Sequence, residues 1–158
     1  MARKFIRAAG GIVVRGRARR RIAVVQRSKD ESWVLPRGKL KRKERAVVGA
    51  RREVTEETGY RVRVGEFLGA ITYRARGRPK VVQFWRMVAA AHPSYEITKD
   101  ISAVEWLPLA AAVRRLSYPL EKLFLNNVAR QAMPHRKRRP QRKAARRSHR
   151  RTRGRKRR

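Results

Sequence analysis

Almost nothing apolar follows Pro134, so any core this chain builds must come from the residues ahead of it. Residues 1–133 suit one domain with a sizeable interior. Residues 134–158 read as a separate Arg/Lys-rich tail of low complexity, expected to be disordered in isolation. The net charge of +34 divides unevenly: Arg136–Arg158 holds 15 of the 45 Lys and Arg residues and no acid, which leaves 30 basic and 11 acidic residues ahead of it, a net of +19. Tail and body are both basic, a field that attracts polyanions in a salt-dependent way without choosing among them. The absence of cysteine excludes disulfides and thiolate metal sites. No stretch approaches the roughly 20 apolar residues of a membrane span. Met1–Arg7 is basic but runs into a strand-like stretch without a signal-peptide hydrophobic region, so the chain is expected to be soluble and cytoplasmic, with no membrane partner.

Phe5–Val14 reads as a strand carrying the pair Gly10-Gly11, where backbones can approach closely. A basic turn, Arg15–Arg20, leads to a second strand, Ile22–Arg27, and then to a loop, Ser28–Gly38, punctuated by Pro36 and Gly38. Helical spacing runs over Arg45–Thr58 and stops at Gly59, a residue suited to the left-handed position after a helix. Tyr60–Val64 alternates like an edge strand. Phe67–Arg74 and Val81–Ala90 pair as a hairpin around Arg76-Gly77-Arg78-Pro79, and Val104–Leu107 is a last short strand. Leu109–Leu116 and Leu120–Met133 have helical spacing, broken between them at Tyr118-Pro119. Strands, a helix, strands and more helices, in that order, imply an α+β fold: a mixed sheet with helices on its faces.

Three of the 11 acids, Glu53, Glu56 and Glu57, fall within five residues. At about 100° per helical residue, Glu56 and Glu57 lie roughly 60° to one side and 40° to the other side of Glu53. Such a cluster opposes stability twice. Like charges three and four residues apart repel, and the helix macrodipole disfavours anions near its C-terminal end. Oxygen ligands without His or Cys would suit Mg²⁺ or Mn²⁺ rather than zinc. Taken alone, E-x-x-E-E is also the pattern of a solvated acidic helix end.

The surroundings of that helix are more specific. Gly38, then five residues, Glu44, then seven, then Arg52-Glu53-Val54-Thr55-Glu56-Glu57-Thr58-Gly59-Tyr60 resembles the Nudix box, G-x5-E-x7-R-E-U-x-E-E-x-G-U. Every fixed position is filled, and only Tyr60 departs, standing where an aliphatic residue is preferred. Ala8-Ala9-Gly10, Trp33–Lys39 and Glu105-Trp106-Leu107-Pro108 extend the likeness over residues 5–130. The resemblance implies a Nudix-type α/β/α sandwich with a loop-helix-loop metal site. It assigns the metal ions to Glu53, Glu56 and Glu57, with Glu44 in support through a water or a weaker contact. Arg52 would hold the Glu53 carboxylate in a bidentate fork, a backbone carbonyl near Arg37 would face a metal, and Val47, Ala50 and Val54 would pack the helix on the sheet. The general base would be Glu53, Glu56 or Asp100, in that order; Asp100 stands where a glutamate is expected, one methylene short.

The function implied is Mg²⁺-dependent hydrolysis of a phosphoanhydride bond in a nucleoside polyphosphate by metal-activated water. Trp33–Lys39, Lys80 with Phe84-Trp85, and Leu116-Ser117-Tyr118 look most like hydrolases of diadenosine polyphosphates and MutT-type hydrolases of normal or oxidised nucleoside triphosphates. Arg37, Lys39 and Lys80 would contact phosphates and Tyr118 a base, against the alternatives of plain surface charge and a packed tyrosine; Trp33, Trp85 and Trp106 read mainly as packing residues. Alternative substrates are a diphosphoinositol polyphosphate or the 5′ end of RNA, and a non-catalytic nucleic-acid-binding protein ranks last because no glutamate of the cluster is lost. Arg136–Arg158 lacks the aromatic residues of a single-strand reader and would bind RNA or another polyanion non-specifically.

Overall fold

The computed structural model describes residues 4–133. The expectations for Arg136–Arg158 and for a boundary at Pro134 therefore lie outside the described residues. The elements are β1 (Ile6–Arg15), β2 (Arg21–Arg27), β3 (Trp33–Val34), β4 (Arg37–Lys39), α1 (Ala46–Thr58), β5 (Val62–Ala75), β6 (Arg78–Ala89), β7 (Ile101–Leu107), α2 (Leu109–Arg115) and α3 (Pro119–Ala132).

All seven strands join one mixed sheet, ordered β3-β2-β1-β6-β5, with β4 also paired to β1 and β7 to β2. The centre is the parallel pair β1 and β6, in register from Ile6 opposite Lys80 to Val14 opposite Val88. Seven consecutive residues of β1, Ala8–Val14, are buried, as expected of a strand covered on both faces. Because side chains alternate along a strand, Ala8 and Ile12 join Ile22, Val24 and Phe84 on the face covered by Ala112, Leu116, Leu125 and Val128 of the C-terminal helical region. Ala9 and Val13 join Ala23 and Met87 on the other face, beneath Ala50 and Val54 of α1. The result is a three-layered α/β/α sandwich, with α1 alone on one side.

Four local expectations change. The Ser28–Gly38 loop contains two short strands, β3 and β4, which pair with β2 and β1 respectively. Gly10 permits this close approach, since a Cβ there would meet the Pro36 carbonyl oxygen at 2.1 Å. The edge strand and the first arm of the hairpin form one strand, β5, whose register slips between Val64 and Phe67 and again between Phe67 and Gly69. Its turn is only Arg76-Gly77, with φ values of 52° and 72°, the positive pair that matches the twist of a hairpin. Pro79 and Lys80 consequently lie in β6. On α1, Val47 is half-buried, and the buried stripe is Gly49, Ala50, Val54 and Thr58.

The end of α1 follows its sequence closely. Gly59 adopts φ 76° and donates its N–H to the Thr55 carbonyl, while Thr58 Oγ1 donates to the Val54 carbonyl at 2.7 Å. The last turns, which carry Glu53, Glu56 and Glu57, are thereby placed beside β4 at the rim of the sheet.

Candidate active site

Gly38 of β4 lies so close to α1 that a Cβ there would overlap the Glu53 carboxyl at 2.0 Å. One residue earlier, the Arg37 N–H donates to Glu57 Oε2 at 3.0 Å. These two contacts seat the helix on the strand and open a cleft of about 590 Å³. Glu53, Glu57 and Asp100 line it, together with the cationic side chains of Arg27, Lys29, Arg37, Lys39 and Lys80. Cleft walls of one predominant charge concentrate an anionic ligand.

Burial dominates the two glutamates inside. It pushes Glu57 up to about 8, against the opposing Arg37 N–H. It also raises Glu53 above the ordinary carboxylate range, against the hydrogen bond from Arg52. Desolvation disfavours a carboxylate unless positive charge compensates it.

Arg52 organises the acids differently from the expected fork on Glu53. Its Nε and Nη2 donate to Glu44 Oε1 and Oε2 at 2.8 and 2.9 Å, so the fork closes on Glu44. Nη1 is left to donate to Glu53 Oε1 at 2.7 Å and to Glu56 Oε2 at 3.4 Å. This geometry arises because Glu44 lies in the turn before α1 and also accepts the Lys41 N–H at 2.8 Å. The Arg52 hydrogen bonds, aided by that N–H, hold Glu44 down to about 2. Glu56 has a side chain 49% exposed and faces a separate depression beside Arg51, Arg61 and Tyr95. The structure thus brings Glu53, Glu57 and Asp100 together and leaves Glu56 outside with Arg52.

The fit to a divalent ion rests on chemistry. Among the described residues, no group of three His, Asp or Glu side chains is arranged to hold a metal ion. The cleft nonetheless supplies hard carboxylate oxygens on Glu53 and Glu57, both desolvated, which is the donor set of Mg²⁺ or Mn²⁺.

The expected substrate contacts divide between two depressions. Lys39 and Lys80 line the acidic cleft, and Lys80 Nζ stands 5.7 Å from the centre of the Tyr73 ring. Tyr118, 41% exposed, lines a neighbouring depression of about 510 Å³ with Tyr73, Arg74 and Leu120. Arg27, Lys29 and Arg37 border both. Arg37 is more engaged than expected. Its side chain is only 7% exposed, Nη1 donates to the Leu35 carbonyl at 3.3 Å, and Nη2 reaches the Tyr73 hydroxyl at 3.4 Å and Glu121 Oε1 at 3.0 Å. Trp33, Trp85 and Trp106 are packing residues, set against Arg115, Phe67 and Tyr60 respectively.

Sequence reasoning missed Tyr73 and Glu121. Glu121 had a visible signal: it is the only acid after Glu105, and it shares a buried helical stripe with Leu125, Val128, Ala129 and Ala132. Tyr73 had none, since exposed and buried tyrosines on a hairpin look alike.

The NUDIX domain model matches residues 4–128, and the chain belongs to that family. An 8-oxo-(d)GTP phosphatase of Mycolicibacterium smegmatis is 34% identical over 104 residues, covering 66% of this chain and 32% of that protein. A MutT-like protein of Streptomyces ambofaciens is 35% identical over 100 residues, covering 61% of this chain and 60% of that one. The chain therefore spans less than two thirds of either relative. Among solved structures, an Ap4A hydrolase binary complex of C. elegans superposes with a TM-score of 0.69 at 22% identity, covering 78% of this chain and 95% of that one. The MutT protein of Methanosarcina mazei Go1 gives 0.69 at 17% identity, covering 83% and 97%. At those identities the likeness is one of fold. No helix among the described residues is long and apolar enough to cross a membrane.

Proposed function

We propose that this chain hydrolyses a phosphoanhydride bond in a nucleoside polyphosphate, a diadenosine polyphosphate or a normal or oxidised nucleoside triphosphate, with Mg²⁺ or Mn²⁺ as cofactor. One observation carries the reading: two desolvated glutamates, Glu53 and Glu57, share a cleft with five cationic side chains. Glu53 and Glu57 would hold the ion, and Glu44 would act by anchoring Arg52; Glu56, which faces the separate depression, would stay with Arg52 in this arrangement. Bound in the cleft, the ion would supply positive charge against the phosphate oxygens and so polarise phosphorus toward water. Lys39 and Lys80 hold the remaining phosphate oxygens, and the Tyr118 depression next to the cleft receives a base. The proton of the attacking water passes to a cleft carboxylate, Glu53 first and Asp100 second. Glu56, paired with Arg52 outside the cleft, falls to third place.

The names of the Mycolicibacterium smegmatis relative and of the C. elegans neighbour support a nucleotide substrate. A panel with Mg²⁺ tests it: diadenosine polyphosphates, nucleoside triphosphates, 8-oxo-dGTP, diphosphoinositols and triphosphorylated RNA, with products separated by anion exchange. Mononucleotide products from the first three arms are expected. Turnover confined to diphosphoinositols or RNA ends would overturn the nucleotide assignment, and a blank panel with tight RNA retention would make the chain a binding module.

A further inference from the structure

Glu121 is a buried acid, 2% exposed, on the sheet-facing stripe of α3, where an apolar residue would pack at lower cost. Its Oε2 accepts the Leu35 N–H at 3.2 Å, and its Oε1 lies 3.0 Å from Arg37 Nη2. The second approach is an ion pair without an aligned hydrogen bond, since Oε1 and Arg37 Nε both lack a hydrogen-bond partner. Just before α3, Ser117 exchanges two hydrogen bonds with Trp33: its Oγ accepts the Trp33 N–H at 2.8 Å, and its own N–H donates to the Trp33 carbonyl at 2.9 Å. Alternate residues 33, 35 and 37 are therefore gripped by one short stretch around the start of α3.

The same segment carries the acidic cleft. Arg37 presents its N–H to Glu57, and Gly38 backs directly onto Glu53. A buried ion pair is weak evidence for stability, because desolvation offsets its attraction, so thermodynamic glue is a poor reason for an acid at this position. We propose that Glu121 is a positioning residue: by holding Leu35 and Arg37 from the C-terminal helix, it sets the backbone that orients Glu57 and seats Glu53 for the divalent ion. This rests on the metal-dependent reading of the cleft given above.

The test measures Mn²⁺ binding to the full chain by electron paramagnetic resonance of the free ion, independently of turnover. Glu121→Gln keeps an acceptor for Leu35 but removes the charge facing Arg37. It is expected to weaken Mn²⁺ binding roughly tenfold, the lower end of what supporting partners of metal ligands contribute. Glu121→Asp keeps the charge but withdraws the carboxyl by one methylene, is expected to act in the same direction, and decides the matter if the Gln variant fails to fold. Leu125→Ala, a fully buried change on the same helix, should lower the thermal midpoint while leaving Mn²⁺ affinity within twofold. Mn²⁺ affinity within twofold of wild type in a folded Glu121 variant would overturn the role, as would an equal loss in Leu125→Ala. A wild-type chain that does not bind Mn²⁺ would sink the metal-dependent reading and this role together, whereas unaltered binding in the variants sinks the role alone.

Discussion

Glu57→Gln should make the metal-free protein more stable, increasingly so as pH rises. The Glu57 carboxyl has an ordinary value of 4.5 and is pushed up to about 8 by burial. Below pH 4.5 it is protonated whether the chain is folded or unfolded, so its effect on stability vanishes. Between the two values the unfolded chain releases the proton while the folded chain keeps it. The folded state then binds more protons, and unfolding becomes easier as pH climbs. Integrated over the shift, the loss amounts to about 3 kcal/mol at pH 7 and levels off near ~5 kcal/mol well above pH 8. Gln is isosteric, still accepts the Arg37 N–H and never ionises. Urea unfolding followed by circular dichroism in EDTA, from pH 5 to pH 8, should show the gap between variant and wild type widening by about 3 kcal/mol. Saturating Mg²⁺ should close it, because the ion supplies the missing charge. A gap that stays constant across this range would refute the desolvated-carboxylate argument.

Three other outcomes follow from the same geometry. Gly38→Ala places a methyl group on the Glu53 carboxyl; that carboxyl should swing out of its place, lowering kcat/KM roughly 100-fold in the turnover assay while circular dichroism stays unchanged. Arg52→Met strips a shared donor from Glu44, Glu53 and Glu56 and should destabilise the fold by about 1–2 kcal/mol in urea, a modest figure because the cluster is partly solvated. Removing residues 136–158 takes away 15 of the 45 Lys and Arg residues; turnover of small nucleotides should persist, and the salt dependence of RNA binding should flatten.

Periodic features of the sequence translated well. The apolar stretch of β1 and the 3.6-residue spacing of α1 each report a local geometry, and both elements stand within a residue of their expected bounds. Gly59 marked the end of α1 because few other residues adopt φ 76° without strain. Non-local pairing was harder to read. The strands β3 and β4 are two and three residues long, too short for alternation, and exist only because β1 and β2 lie alongside. The slips in β5 are likewise imposed by β6. At the site, spacing located the glutamate cluster, but side-chain partnership followed the tertiary fold. Arg52 stands beside Glu53 in sequence, yet its fork belongs to Glu44, eight residues earlier. Glu121 meets Leu35 and Arg37 across more than 80 residues of chain, a distance that no local pattern spans.

Under the proposed function, Glu53 and Glu57 hold a divalent ion on which phosphoanhydride hydrolysis depends. That dependence is tested most directly by assaying purified chain on diadenosine tetraphosphate and a nucleoside triphosphate in EDTA, then restoring Mg²⁺ stepwise. Turnover should be absent in the chelator and return with the metal, and Glu53→Gln and Glu57→Gln should remain inactive at every Mg²⁺ concentration. Hydrolysis that proceeds at full rate in EDTA, or that survives both substitutions, would contradict the account.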